Sequence, residues 1–162
     1  MQDSDLKITL WLNSAGFADI PIRKVLPDWD TERDVTISSS WEPCFNGPDS
    51  WALTIAFLAG GIASGFLGEL GKDVYTWVKR QLQPVLLDKP NHSPMVIFEH
   101  EGLSYIIDPA QLGTDLAHSI KLLITRFDRI AESAKVTLDK SEGDTIRLQV
   151  ETVNFEVTVR KI

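Results

Sequence analysis

Cysteine occurs once in this chain of 162 residues, at Cys44, so no internal disulfide can staple the fold. Cys44, His92, His100 and His118 show neither a Cys-x-x-Cys nor a His-x-x-x-His spacing, so no metal ion is expected. Asp28, Asp30, Glu32 and Asp34 alternate, but the central Gly and the distant Glu of a calcium loop are missing. The run Gly60-Gly61-Ile62-Ala63-Ser64-Gly65 lacks the Lys-Ser/Thr pair of a phosphate loop and sits within an apolar stretch, which argues against a nucleotide site. No Lys/Arg stripe with interleaved aromatics offsets the net charge of −7, which disfavours nucleic acid as a partner. No arrangement of nucleophile, base and acid stands out, so neither catalysis nor a cofactor is expected. The first residues, Met1-Gln2-Asp3-Ser4-Asp5, have neither the basic start of a secretory signal nor the Arg-rich character of a transit peptide, so a cytoplasmic location is expected.

What is present fits one domain spanning 1–162, with 43% hydrophobic and 24% charged residues. Charge is distributed unevenly. Residues 1–50 carry 4 basic and 9 acidic side chains (−5), residues 51–90 carry 4 and 3 (+1), and residues 91–162 carry 8 and 11 (−3). From Ser50 to Gly68 there is no charge for nineteen residues, and 5 of the 10 glycines (Gly60, Gly61, Gly65, Gly68, Gly71) fall in or just after that stretch.

Hydropathy periods divide the chain into four parts. In the acidic part, 1–48, Leu6 to Leu12 and Arg33 to Trp41 alternate with the period of half-buried strands. From Asp49 to Gln83 there is no proline, and Asn46-Gly47-Pro48-Asp49 supplies helix-start chemistry, which predicts one long helix over about 49–83. Its second half is amphipathic: Leu67, Leu70, Val74, Trp77, Val78 and Leu82 form one stripe. Pro84, Pro90 and Pro94 mark a linker over 84–94. Over 95–162 the pattern predicts a hairpin (Met95 to Glu99 and Leu103 to Ile107), a second helix whose stripe runs from Leu112 to Ala134, and terminal strands. In those strands the inward phase shifts from Ile146, Leu148 and Val150 to Val153, Phe155 and Val157, so a bulge or tight turn is expected near Glu151 to Asn154. The expected class is α+β: a largely antiparallel sheet with two main helices, the first glycine-rich in its N-terminal half.

Two features point to association with another protein. On a helix, Ala56, Gly60, Ser64 and Gly68, with Gly61 and Gly65 beside them, form a row of small residues against which a second backbone can pack. Such a segment, apolar all round, belongs in a core, in an oligomer interface or in lipid. The primary expectation is therefore a non-catalytic interaction or self-association module, with membrane association as a further reading of the same helix. The second feature is the acidic segment containing Asp28, Trp29, Asp30 and Glu32, whose aromatic anchor ringed by charge suits an inhibitor of a basic partner. An enzyme is the third reading, conditional on a pocket that gathers Glu99, His100 or Asp108.

Overall fold

A computed structural model describes residues 6–12, 34–38, 50–57, 64–82, 93–107, 116–150 and 155–162. They form seven strands and three helices: β1 (Leu6–Leu12), β2 (Asp34–Ser38), β3 (Ser50–Phe57), α1 (Ser64–Trp77), β4 (Ser93–His100), β5 (Leu103–Ile107), α2 (Leu116–Thr125), α3 (Phe127–Lys140), β6 (Thr145–Val150) and β7 (Phe155–Lys161). The strands build one sheet in the order β2-β1-β3-β4-β5-β7-β6. The pairs β1–β2 and β3–β4 are parallel and the other four are antiparallel, so the α+β class with a largely antiparallel sheet holds.

The helix expected over 49–83 is corrected by this architecture. Residues Ser50–Phe57 form β3, paired to β1 on one side and β4 on the other, and helix begins only at Ser64. The reason lies in an ambiguity of period. Bulky Leu53, Ile55 and Phe57 are buried on one face, while small Ala52, Thr54 and Ala56 occupy the other. Small residues four apart fit two strand repeats as well as one helical turn, and a strand buried within a sheet reads as a continuous apolar run. Ala56 and Ser64 therefore belong to different elements, and the row of small residues is not one helix face. Gly60, Gly61 and the acidic segment containing Asp28, Trp29, Asp30 and Glu32 lie outside the described residues. The amphipathic half is as expected: Val74, Trp77 and Val78 are buried, Lys72, Asp73, Lys79 and Arg80 are exposed, and α1 ends in a π-helical turn, Val78–Leu82.

The second helical stripe is divided between α2 and α3. Thr125 Oγ1 donates to the Leu122 carbonyl at 2.9 Å, a back-bond that competes with the regular ladder, and the Arg126 N–H donates to the Leu123 carbonyl at 3.3 Å. Arg126 then caps α3 with φ −112° and ψ 7°. The stripe survives the break, because Ile120, Leu123, Phe127, Ile130 and Ala134 are all buried. The hairpin stands as expected, with β4 starting at Ser93, two residues before the expected Met95. The phase shift near the end of the chain is the change from β6 to its antiparallel neighbour β7, whose register sets Ile146 opposite Val159 and Leu148 opposite Val157. The connecting residues 151–154 lie outside the described set.

All three helices contribute to one core cluster with the inward side chains of the sheet. Phe127 is its aromatic centre, with ring centroids 5.0 Å from Phe57, 5.5 Å from Phe98 and 4.8 Å from Tyr105. Edge-to-face and tilted aromatic pairs of this kind add about 0.5–1.5 kcal/mol each beyond simple burial. On the opposite face of the sheet a register row runs Thr9, Thr54, Ile97, Ile106, Thr158, Arg147; the first five are half-buried and Arg147 is exposed. Gly71 brings α1 and α2 together: a Cβ there would stand 3.1 Å from the Thr125 methyl and 3.4 Å from the Lys121 carbonyl oxygen.

Candidate functional site

α3 has two polar flanks, which follow from its sequence at helical spacing. Phe127, Ala131, Ala134 and Leu138 are buried against the sheet, which leaves Arg126, Arg129 and Ser133 on one side and Lys135 on the other. The first side overhangs strand β6. Between them is an open cleft of about 300 Å³, walled by Arg126, Arg129, Ile130 and Ser133 of the helix. Leu148, Gln149 and Val150 of β6 form the other wall. Its floor is aliphatic and its helical rim carries two guanidinium groups.

β6 is the last strand of the sheet, and among the described residues no strand pairs with its outer edge. The direction of its backbone groups follows from the ladder. The Lys161 N–H donates to the Asp144 carbonyl at 3.1 Å, so the pairs of the same parity, Ile146–Val159 and Leu148–Val157, are the hydrogen-bonded ones. Thr145, Arg147 and Gln149 consequently direct their N–H and C=O groups away from β7, along the rim of the cleft. An edge with outward backbone groups and half-buried Leu148 and Val150 beside it is a template for another strand.

The second flank of α3 is ionic. The two-residue turn between β4 and β5 holds both Glu101 and Gly102 at positive φ, 49° and 76°, as a type I′ turn requires. Glutamate in the left-handed region costs on the order of 1–2 kcal/mol. The conformation directs its carboxylate to Lys135 of α3, which donates to Oε2, while Oε1 lies 3.6 Å from Nε2 of His100. His100 is only 7% exposed and stands edge-on to Phe57 and Phe127 at 5.7 and 5.9 Å. Burial pushes its pKa below the ordinary 6.5, against the opposing pull of Glu101. The Lys135 hydrogen bond holds the Glu101 carboxyl below its usual range, and burial raises the Tyr105 phenol to about 12. Among the described residues, neither the buried His100 Nδ1 nor the buried Tyr105 hydroxyl has a hydrogen-bond partner. The cluster joins the hairpin tip to α3.

Of the residues named by the enzyme reading, two can be placed. Glu99 and His100 are successive residues of β4 and face opposite sides of the sheet, neither lines the cleft, and Asp108 lies outside the described residues. Among the described residues no group of three or more His, Cys, Asp or Glu side chains is placed to hold a metal, and no helix is long and apolar enough to cross a membrane. Of the small-residue row, Ala56 lies on β3, Ser64, Gly65 and Gly68 lie on α1, and a Cβ at Gly68 would meet nothing within 4 Å. The cleft residues escaped the sequence reading, although a signal existed. Between Leu116 and Lys135 the chain carries Lys121, Arg126, Arg129 and Lys135 against only Asp128 and Glu132, a local excess of positive charge in an acidic protein. No protein-family model, no curated protein and no solved structure matches this chain.

Proposed function

We propose that this protein is an interaction domain that receives an extended segment of a partner protein as an added strand along the outer edge of β6, with a side chain of that segment entering the cleft under α3. The observation that carries this reading is the coincidence of two features. The outward N–H and C=O groups of Thr145 and Arg147 run beside the cleft between α3 and β6. Strand addition draws affinity from main-chain hydrogen bonds and selectivity from pockets that accept alternate side chains, and a strand-plus-helix groove provides both. The partner class, another protein, is the one expected from the small-residue row and the acidic segment, but the reading rests on α3 and β6 and on neither of those.

Arg147→Pro tests it. Proline removes an N–H that points away from β7, so no bond of the β6–β7 ladder is lost while the edge is closed to a partner. A phage-displayed library of random linear peptides is selected on the full chain and the recovered peptides are titrated against both proteins. The expected result is binding to the wild type that falls at least about tenfold in the variant, the loss of one or two main-chain hydrogen bonds. Recovered peptides that bind both proteins equally, or a library from which nothing is enriched, overturn the reading.

A further inference from the structure

The ionic flank of α3 carries a device of its own, independent of strand addition at β6. We propose that the β4–β5 turn is an acid-released strap: a proton taken up by His100 draws the Glu101 carboxylate inward and frees Lys135, so that the C-terminal half of α3 lets go of the hairpin tip.

The geometry sets up an exchange of partners. A single carboxylate stands between two nitrogen groups: Glu101 Oε2 accepts from Lys135 Nζ, while Oε1 lies 3.6 Å from His100 Nε2. Their access to water differs, since Lys135 is 51% exposed and His100 only 7%. Water can take over the charge of an exposed lysine, so releasing Lys135 costs little. A charge on the buried imidazole has no such recourse and needs its counter-ion close by. Protonated His100 therefore has the stronger claim on the carboxylate. Closing 3.6 Å to the about 2.8 Å of a charge-assisted hydrogen bond turns the carboxylate away from Lys135.

The turn itself is held while this happens. The Ile162 N–H donates to the Gly102 carbonyl at 2.9 Å, and the β4–β5 ladder runs up to the pair His100–Leu103, so the part left to move is the Glu101 side chain. Linkage gives the same sign by a separate route. The charge of Lys135 opposes protonation of His100, and coupling between two equilibria is reciprocal, so a proton on His100 weakens the hold of Lys135.

The neighbours of His100 come from several elements. Phe57 of β3 and Phe127 of α3 meet its ring edge-on and carry no charge. Tyr105, diagonal to it in the β4–β5 register, keeps its proton, with a pKa raised to about 12. Glu99 faces the other side of the sheet, and Lys161, beyond Leu103 on the same register row, lies 3.6 Å from Asp144. Among the described residues the charges that bear on His100 are those of Glu101, which favours its proton, and Lys135, which opposes it. Burial outweighs the pull of Glu101, so the strap holds at the ordinary 6.5 and above and opens below it.

Nuclear magnetic resonance of the full chain, with His, Glu and Lys side chains labelled, tests the strap in a titration from about pH 8 to about pH 5. In the wild type the Glu101 carboxyl carbon and Lys135 Cε are expected to shift with the His100 imidazole, at one shared midpoint. Lys135→Met, at an exposed position, raises the His100 midpoint, and Glu101→Gln lowers it. In the Glu101→Gln background Lys135→Met leaves the midpoint where it is. Amide exchange at Val136 to Lys140, corrected for the intrinsic rate, quickens below the midpoint by no more than about fivefold, the worth of one exposed ion pair, and is already quick at neutral pH in Lys135→Met. A His100 midpoint that Lys135→Met does not move shows that the lysine is not coupled to the proton and overturns the strap. An equal shift in the Glu101→Gln background also overturns it, because Lys135 then acts by repulsion through space and not through the carboxylate. So does a Lys135 signal that ignores the His100 midpoint, or a His100 that stays neutral until the chain unfolds.

Discussion

Strands β3 and β6 show opposite ways of using an apolar sequence. β3 is paired on both edges, to β1 and β4, and its inward residues Leu53, Ile55 and Phe57 are almost wholly buried. β6 is paired on one edge, and its inward residues grade from buried Ile146 to half-buried Leu148 and Val150. A strand with neighbours on both sides commits every backbone group to the fold, so its side chains are chosen for packing alone. A terminal strand keeps half of its backbone groups for something else, and here those groups run beside a cleft with basic side chains on its rim. The part of the sheet that fixes the fold and the part proposed to meet a partner are thus separated by pairing.

Proline breaks the comparison most strongly. Thr54 of β3 and Arg147 of β6 lie on the same register row across the face of the sheet opposite the helices. Thr54→Pro removes a ladder bond whichever neighbour its N–H serves, and is expected to abolish cooperative unfolding in urea. Arg147→Pro, at the edge, is expected to shift stability by no more than about 1 kcal/mol. Equal destabilisation by the two would mean that β6 is not an edge in solution.

A smaller contrast lies within α3, one side of which serves the centre of the sheet and the other the cleft. Phe127→Ala empties the aromatic centre and should cost about 3–5 kcal/mol by urea titration, whereas Ile130→Ala, 8% exposed on the cleft, should cost about 2. A reversed order would place the structural anchor of α3 on the cleft side.

The pH dependence sharpens the contrast from the other end of β3, where His100 meets Phe57 and Phe127. Because burial lowers its pKa in the folded state, the unfolded chain binds the extra proton more readily. Stability contributed by neutral His100 is therefore complete above the unfolded value of 6.5 and is lost as pH falls below it towards the lowered folded value. Melting temperature should decline below pH 6.5, and His100→Phe should flatten the decline. Glu101 acts in a separate and lower window. Its folded pKa is depressed from 4.5, so its share persists above that value and disappears only as pH falls through the depressed one.

The smallest effect is a gain. At Gly68 a side chain would meet nothing within 4 Å, so Gly68→Ala is expected to stabilise α1 by about 0.5–1 kcal/mol. Gly71→Ala gains the same helix preference but must push back the Thr125 methyl 3.1 Å away, so it should stabilise less. Equal gains at the two positions would show that α1 and α2 are not closely packed there.

These contrasts also show what was legible in advance. Alternation identified β1 and β6 because apolar residues on one face of each strand alternate with mostly polar ones on the other. The turn at Glu101-Gly102, the stripe of α3 and the phase change between β6 and β7 were readable for the same reason: solvent on one side imposes a period on the sequence. β3 was not readable in this way. With both edges paired and the polar constraint reduced to Ser50 at its start and Thr54 within it, its small residues at spacing four fitted a helix equally well. The cleft was also hidden, since Arg126 and Arg129 lie on a helix while Leu148 and Val150 arrive from a strand some twenty residues later.

The amino-acid sequence by itself determined the class, the amphipathic stretches and an acidic chain without an internal disulfide, because each of these depends on composition or on neighbours within a turn or two. Only the tertiary structure decided that Ser50–Phe57 is a strand, that β6 is the last of the described strands in the sheet and that two arginines stand beside it. Those outcomes depend on which strand pairs with which, and strand pairing is a contact between residues distant in sequence that no local period records.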